Sequence, residues 1–250
     1  MINLKECLDI LSFNQSRLLW ARKASSFTLC LMFVFLGTSA SSLSASGPEW
    51  VPVYKEPKHR LALENDQAFI LDVRLPPGYV SLYHEHKIDL LYVHIMGTRV
   101  WAENLNGSRR EVDVKTGDLR FSSDNHPLPQ IHRVGVLGST AFHVIGVGIK
   151  SEISNDVVSL EGDTRGMKPS LEKAHASVYS IKLNPGEKTG IHQHNLPFAA
   201  VHLSGGKLIV DSGEAVDIEA GEFTWYESSE GHQFENAGNE AVEIIEVLWR

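Results

Sequence analysis

One block occurs twice in this chain, in register and without a gap. LPPGYVSLYHEHKIDLLYVHIMG, Leu75 to Gly97, returns 108 residues later as LNPGEKTGIHQHNLPFAAVHLSG, Leu183 to Gly205. Eight positions are identical: the Leu, the second Pro, the Gly, both histidines of an H-x-H, the later Val-His pair and the closing Gly. Fixed residues in changing filler are the mark of one architectural unit built twice. On a strand, residues i and i+2 share a face about 6.5–7 Å apart, so His84 with His86, and His192 with His194, can converge on one ion. A third ligand has to come from a distant strand. Gly117 followed by His132, and Gly221 followed by His232, are the matching downstream features.

From Trp50 onward, short β-branched and aromatic runs are cut by Gly, Pro, Asn and Asp every 8–12 residues or so, the pattern of an antiparallel sandwich or barrel. The runs predict strands at Ala68–Leu75, Leu90–Ile95, Arg99–Asn104, Asp118–Ser122, His132–Val136 and Ala141–Ile149. In the second half they predict Ser177–Leu183, Phe198–Leu203, Lys207–Asp211, Ala215–Glu219, Phe223–Glu227, His232–Asn236 and Ala241–Leu248. The expected organisation is an N-terminal domain over 47–150, a polar linker over 151–173 with a short helical turn near Asn155–Leu160, and a C-terminal domain over 174–250.

Residues 1–46 read as a secretory leader: Arg17, Arg22 and Lys23, the apolar run Phe27–Leu36, then small residues with cleavage expected after Ala40 or Ala45. The apolar run is about half of what a transmembrane helix needs, so no stable membrane insertion is expected after cleavage, and the protein should be secreted or periplasmic. Both cysteines, Cys7 and Cys30, fall in the leader, which excludes a disulfide, a thiol nucleophile and a cysteine metal ligand from the remainder. The leader carries four basic and two acidic residues, so the remainder has a net charge of −10 against −8 for the whole chain. Such a protein is a poor partner for nucleic acid or an anionic membrane. All twelve histidines follow the leader.

These motifs resemble those of the cupins, and the chain from about Trp50 to Arg250 resembles a two-domain cupin, or bicupin. The family's first motif, G-x5-H-x-H-x3,4-E-x6-G, is matched by Gly78, His84, His86 and Gly97, and again by Gly186, His192, His194 and Gly205. Its second motif, G-x5-P-x-G-x2-H-x3-N, is matched by Gly221, His232 and Asn236 without the Pro. In the first copy Gly117 and His132 fit only with a four-residue insertion around Asn125–Gln130, and Val136 takes the Asn position. The motif glutamate is replaced by Leu90 in one copy and Phe198 in the other; Asp89, one residue early, is a candidate extra ligand in the first. The resemblance implies an all-β fold of two tandem double-stranded β-helix (jelly-roll) barrels. It implies metal sites of three histidines, His84, His86 and His132, and His192, His194 and His232, with the better-formed site, lacking any carboxylate, in the second domain.

Tyr92, His94, Phe198 and His202 share inward strand parity and are candidates for pocket lining, whereas His59, His126, His143 and His175 have no partners in the pattern. Three-histidine cupins include iron-dependent dioxygenases, so the resemblance implies a divalent metal, Fe2+ first and Zn2+, Mn2+ or Ni2+ as alternatives, acting on a small chelating metabolite that bears a carboxylate, hydroxyl or thiol. A non-catalytic sensor, carrier or storage protein, and a cupin isomerase or lyase, remain the competing readings. No catalytic base is assigned, and a homo-oligomer is compatible with the sequence.

Overall fold

A computed structural model describes residues 48–124, 127–150, 160–173, 176–227 and 231–249. The expected leader, the helical turn near Asn155, and His126 and His175 lie outside these residues. The N-terminal lobe contains β1 (Trp50–Pro52), β2 (His59–Glu64), β3 (Ala68–Leu75), β4 (Tyr83–His86), β5 (Leu90–Met96), β6 (Arg99–Asn104), β7 (Arg109–Asp113), β8 (Leu119–Phe121), β9 (Gln130–Val136) and β10 (Phe142–Ile149). They form two five-stranded sheets, ordered β1-β4-β9-β6-β7 and β2-β3-β10-β5-β8. The C-terminal lobe contains β11 (Leu160–Gly162), β12 (Met167–Lys173), β13 (Ala176–Leu183), β14 (His192–His194), β15 (Phe198–His202), β16 (Gly206–Val210), β17 (Val216–Ile218), β18 (Phe223–Tyr226), β19 (Phe234–Asn236) and β20 (Val242–Trp249). Its main sheet is β12-β13-β20-β15-β18, opposed by β17-β16-β19 and the pair β11-β14. Among the described residues no helix is long and apolar enough to cross a membrane.

The central strands are apolar on both faces because both faces are buried. In β3, β5 and β10, Leu71, Val73, Leu75, Leu90, Phe142 and Val144 point into the N-terminal lobe. The alternate residues Ile70, Leu91, Val93, Ile95, Ile145 and Val147 join a separate core with Ala176, Val178, Ala199, Val201, Ile245, Val247 and Trp249 of the C-terminal lobe. That second core packs the lobes against each other, with the Phe121 and Trp249 rings 5.8 Å apart in a T-shaped contact. Gly221 stands against the His143 ring of the other lobe so closely that a Cβ there would lie 2.2 Å from Cε1. The C-terminal lobe fills its own interior with Ile181, Leu183, Phe198, Leu208, Phe234, Val242, Ile244 and Leu248.

Residues 160–173 of the segment expected to link the domains pair with the second lobe instead. β11 pairs with β14, and β12 pairs with β13 with a register shift between Pro169 and Leu171. Its sequence, MKPSLEK, reads as polar because β12 is a sheet-edge strand whose Lys168, Pro169, Ser170 and Glu172 are exposed. Only Met167 and Leu171 turn toward apolar clusters, and the irregularity between them breaks the alternation that would have marked a strand.

Candidate metal centres

In the N-terminal lobe, antiparallel β4 and β9 place His84 directly opposite His132, with His86 two residues along β4 on the same face. One ring nitrogen from each of His84, His86 and His132 lies within 4.8 Å of the others. The rings of His84 and His132 meet edge to face at 4.7 Å, and those of His86 and His132 lie at 4.9 Å. Nδ1 of His84 is 2.9 Å from the Leu82 carbonyl, so donation there leaves the Nε2 lone pair for an ion. The Tyr92 hydroxyl lies 3.3 Å from Nδ1 of His86 and can orient that ring in the same way. Among the described residues, Nε2 of His86 is buried with no hydrogen-bond partner. Burial, reinforced by the neighbouring His132 and His59, holds His84 and His86 well below the ordinary imidazole range. Neutral, converging imidazoles with an orphaned buried nitrogen are a donor set that fits a divalent ion.

Two members of this triad, His84 and His132, border a cavity of about 390 Å³ whose lining also includes His59, Tyr92, His94 and Arg120. His94 is fixed by its Nδ1, 2.8 Å from the Asp118 carbonyl. His59, which the repeat pattern gave no role, also reaches the site: its ring lies 4.6 Å from that of His84 and its Nδ1 2.7 Å from Glu56. Glu56 in turn accepts from the Tyr79 hydroxyl at 2.7 Å and from the Lys58 backbone N–H at 2.6 Å. Burial would raise the Glu56 carboxyl, but these bonds outweigh it and hold the group below its usual value.

Asp89 does not join the histidines. Its carboxylate accepts from the Ser122 and Ser123 hydroxyls at 2.6 and 2.5 Å and from the backbone N–H groups of Leu90 and Ser123. The side chain ties the start of β5 to the turn after β8, because strand parity sends it away from the face that Leu90 shares.

In the C-terminal lobe, His192 and His232 face each other across a bridge, with His194 beside them, and a fourth group completes the set: Glu246 of β20. Its oxygens lie 3.4 Å from Nε2 of His192, 2.9 Å from Nε2 of His194 and 3.0 Å from Nε2 of His232. All four residues are buried, Glu246 completely. Burial alone would raise the Glu246 carboxyl; the three histidines more than offset this and hold it well below the usual range. The expected site of three histidines without a carboxylate is therefore corrected. The motif position is indeed occupied by Phe198, yet the fold supplies an acid from the neighbouring strand.

The signal for it was present. Val242, Ile244, Glu246 and Leu248 form one row of β20, and a single carboxylate on an otherwise apolar inward face calls for a partner. Phe198 stacks on Tyr226 at 4.5 Å and on His232 at 5.1 Å, so it covers the site instead of ligating. His202 is buried on the same inner row, and its Nδ1 has no hydrogen-bond partner among the described residues.

Comparison with known proteins agrees with this geometry. The cupin domain profile (Cupin_2) matches residues 179–248. A protein of Thermotoga maritima named oxalate-binding protein is 33% identical over 110 residues, covering 39% of this chain and 88% of that one. Among solved structures, AerE from Microcystis aeruginosa superposes with a TM-score of 0.55 at 12% identity, covering 78% of this chain and 98% of that chain. The oxalate decarboxylase of Lactobacillus farciminis, solved as a formate complex, superposes with a TM-score of 0.53 at 16% identity, covering 74% and 77%. At these identities the two structures are likenesses of fold.

Proposed function

Because this chain belongs to the cupin family, we propose that it is a metal-dependent protein in which the N-terminal lobe receives a small chelating metabolite and the C-terminal lobe holds a second, buried ion. The observation that carries this reading is the His84, His86 and His132 triad, of which His84 and His132 line a cavity, against a C-terminal set of four buried groups. Three protein ligands leave coordination positions for a substrate, whereas four buried groups close the shell of a tetrahedral ion such as Zn2+ and suit it to a structural role.

His84, His86 and His132 would hold the first ion; His192, His194, His232 and Glu246 would hold the second. An ion on the triad would supply Lewis acidity to a chelated ligand and, if iron, dioxygen chemistry of the dioxygenase type. The chain's own contribution is to fix ring tautomers through the Leu82 carbonyl and Tyr92, and to bring His59 and its Glu56 partner to the same cavity. The leader expected over residues 1–46 favours an activity in the periplasm or outside the cell. The name of the Thermotoga relative makes oxalate the first ligand to try, and favours ligand binding without turnover as the second reading.

The test is metal analysis of the purified protein, followed by calorimetry with oxalate and oxygen-uptake assays on wild type and His84→Ala. Metal-dependent binding that His84→Ala abolishes supports the reading, and oxygen uptake then separates enzyme from binder. Protein purified in metal-replete medium that carries no metal would overturn it.

A further inference from the structure

We infer that the N-terminal cavity is a carboxylate site with an apolar floor, in which Arg110 and Arg120 reach in from opposite sheets to hold the acid beside the histidine triad. This rests on the N-terminal lobe being the ligand-receiving one, and it narrows the ligand from any chelator to an organic acid with an apolar body.

Strand register sets the direction of both arginines. Arg110 pairs with Ala102 on β6, whose neighbour across β9 is Val134, and all three line the cavity. Ala102 is the small residue on this row, so a long side chain on the edge strand can lie across it toward the interior. Arg120 pairs with Tyr92, whose hydroxyl touches His86, and both also line the cavity. Its guanidinium is steadied by Asp118 at 2.8 Å. A third arginine, Arg109, lies at the lining with its guanidinium 4.0 Å from the Trp101 ring centroid, which holds it on the outer side of the same strand. Guanidinium groups are matched to carboxylates in shape and charge.

The other lobe shows that these cations are not part of the common frame. Tyr92 corresponds to Ala200 in the repeat, and the residue paired with Ala200 is Thr224, which stands where Arg120 stands. Val100 pairs with Val112 as Leu208 pairs with Val216, so Arg110 corresponds to Glu214. Both arginines line the cavity of the N-terminal lobe, Arg110 as an exposed residue, and their C-terminal counterparts are a threonine and an acid.

One register step further along β6 and β7 the walls become apolar with Val100 and Val112, joined by Val114 and by Phe142 and Val144 of β10. Oxalate has no apolar atoms to place there. A 2-oxo acid or aromatic acid would chelate or abut the triad, ion-pair with the arginines and bury its hydrocarbon part on that floor, at about 25 cal/mol per Å² of apolar surface removed from water.

Calorimetry on the full-length, metal-analysed protein tests this with oxalate, pyruvate, 2-oxoisocaproate and phenylpyruvate, on wild type, Arg110→Gln, Arg120→Gln and Arg110→Lys. Affinity should rise along the 2-oxo acid series, with oxalate weakest. Each glutamine variant should weaken acid binding by about 10-fold or more, with metal content and thermal stability unchanged, and Arg110→Lys should recover part of the loss. Unchanged affinity in both glutamine variants would overturn the assignment of the arginines, and equal affinity across the series would overturn the apolar floor. Arginine-dependent binding to protein whose N-terminal lobe holds no metal would keep this inference and sink the metal-dependent reading on which it was built.

Discussion

In the N-terminal lobe Tyr92 faces Gly146 across the sheet; in the C-terminal lobe the same two positions are Ala200 and Glu246. One lobe thus pairs a large residue on β5 with no side chain on β10, and the other pairs a small residue on β15 with an acid on β20. The two combinations fill similar space with different chemistry. A Cβ on Gly146 would already lie 3.3 Å from the Tyr92 ring, so a glutamate there would crowd the tyrosine. With Tyr92 the histidines have a hydroxyl beside them and three ligands; with Glu246 they have a carboxylate among them and four. The inner rows of two paired strands therefore decide whether a lobe presents three histidines beside a hydroxyl or three histidines with a carboxylate.

The largest expected effect comes from breaking the closed lobe. Glu246→Ala leaves three buried histidines without their shared acceptor, and loss of one partner of a buried ionic set costs about 3–5 kcal/mol. Thermal melting should fall sharply, and under chelator challenge the C-terminal ion, left on three histidines, should be lost faster than in wild type while the N-terminal ion is unaffected.

The next effect inverts what the histidine motifs by themselves suggest. His132→Ala leaves two imidazoles in the N-terminal lobe, whereas His232→Ala leaves two imidazoles and Glu246 in the other. His132→Ala should empty its lobe, lowering total metal by roughly half, while His232→Ala should keep much of its ion. Equal losses in the two variants would break the comparison.

A transplant sharpens it. Tyr92→Ala with Gly146→Glu should give the N-terminal lobe a fourth ligand, seen as tighter metal retention against a chelator and weaker binding of organic acids. Gly146→Glu alone should destabilise the fold by overpacking, by about 1–3 kcal/mol.

The smallest effect is on pH. In metal-free protein, His84 and His86 both have lowered values and are held neutral by burial. The stability tied to them is complete above the unfolded imidazole value of about 6.5, and is lost as pH falls below it toward their lower folded values. In the other lobe, burial lowers His194 despite Glu246, while the bonds from Glu246 outweigh burial and raise His192, so the two contributions have opposite sign. Hydrogen exchange between pH 7 and pH 5.5, corrected for intrinsic rates, should loosen peptides around β4 and β5 before those around β14 and β15.

Much of the fold was legible because the central strands carry clean signals. The run Ala68–Leu75 and the run Arg99–Asn104 are strands with the expected ends, and the inward parity of Leu90, Tyr92 and His94 follows from counting in twos. The fourth group was missed because the family motif directs attention to the few residues after H-x-H. Glu246 lies 52 residues beyond His194 and is brought close only by the pairing of β20 with β15. His59 was missed for a related reason: it lies outside the repeat, and only the closure of β2 onto β3 turns it toward His84.

The alternation in β5, β10, β15 and β20 has a historical corollary. Each of these strands presents one row to its own cavity and the other to the core shared by the lobes. A chain with one such lobe would carry Ala176, Val178, Val201, Ile245, Val247 and Trp249, or their counterparts, as a bare apolar surface. Its simplest cover would be the same surface of a twin molecule. The seam inside this polypeptide has the form of a homodimer contact enclosed within a single gene product. Once two copies are joined in one chain they need no longer be identical, and one half can become an anchor while the other keeps its doorway.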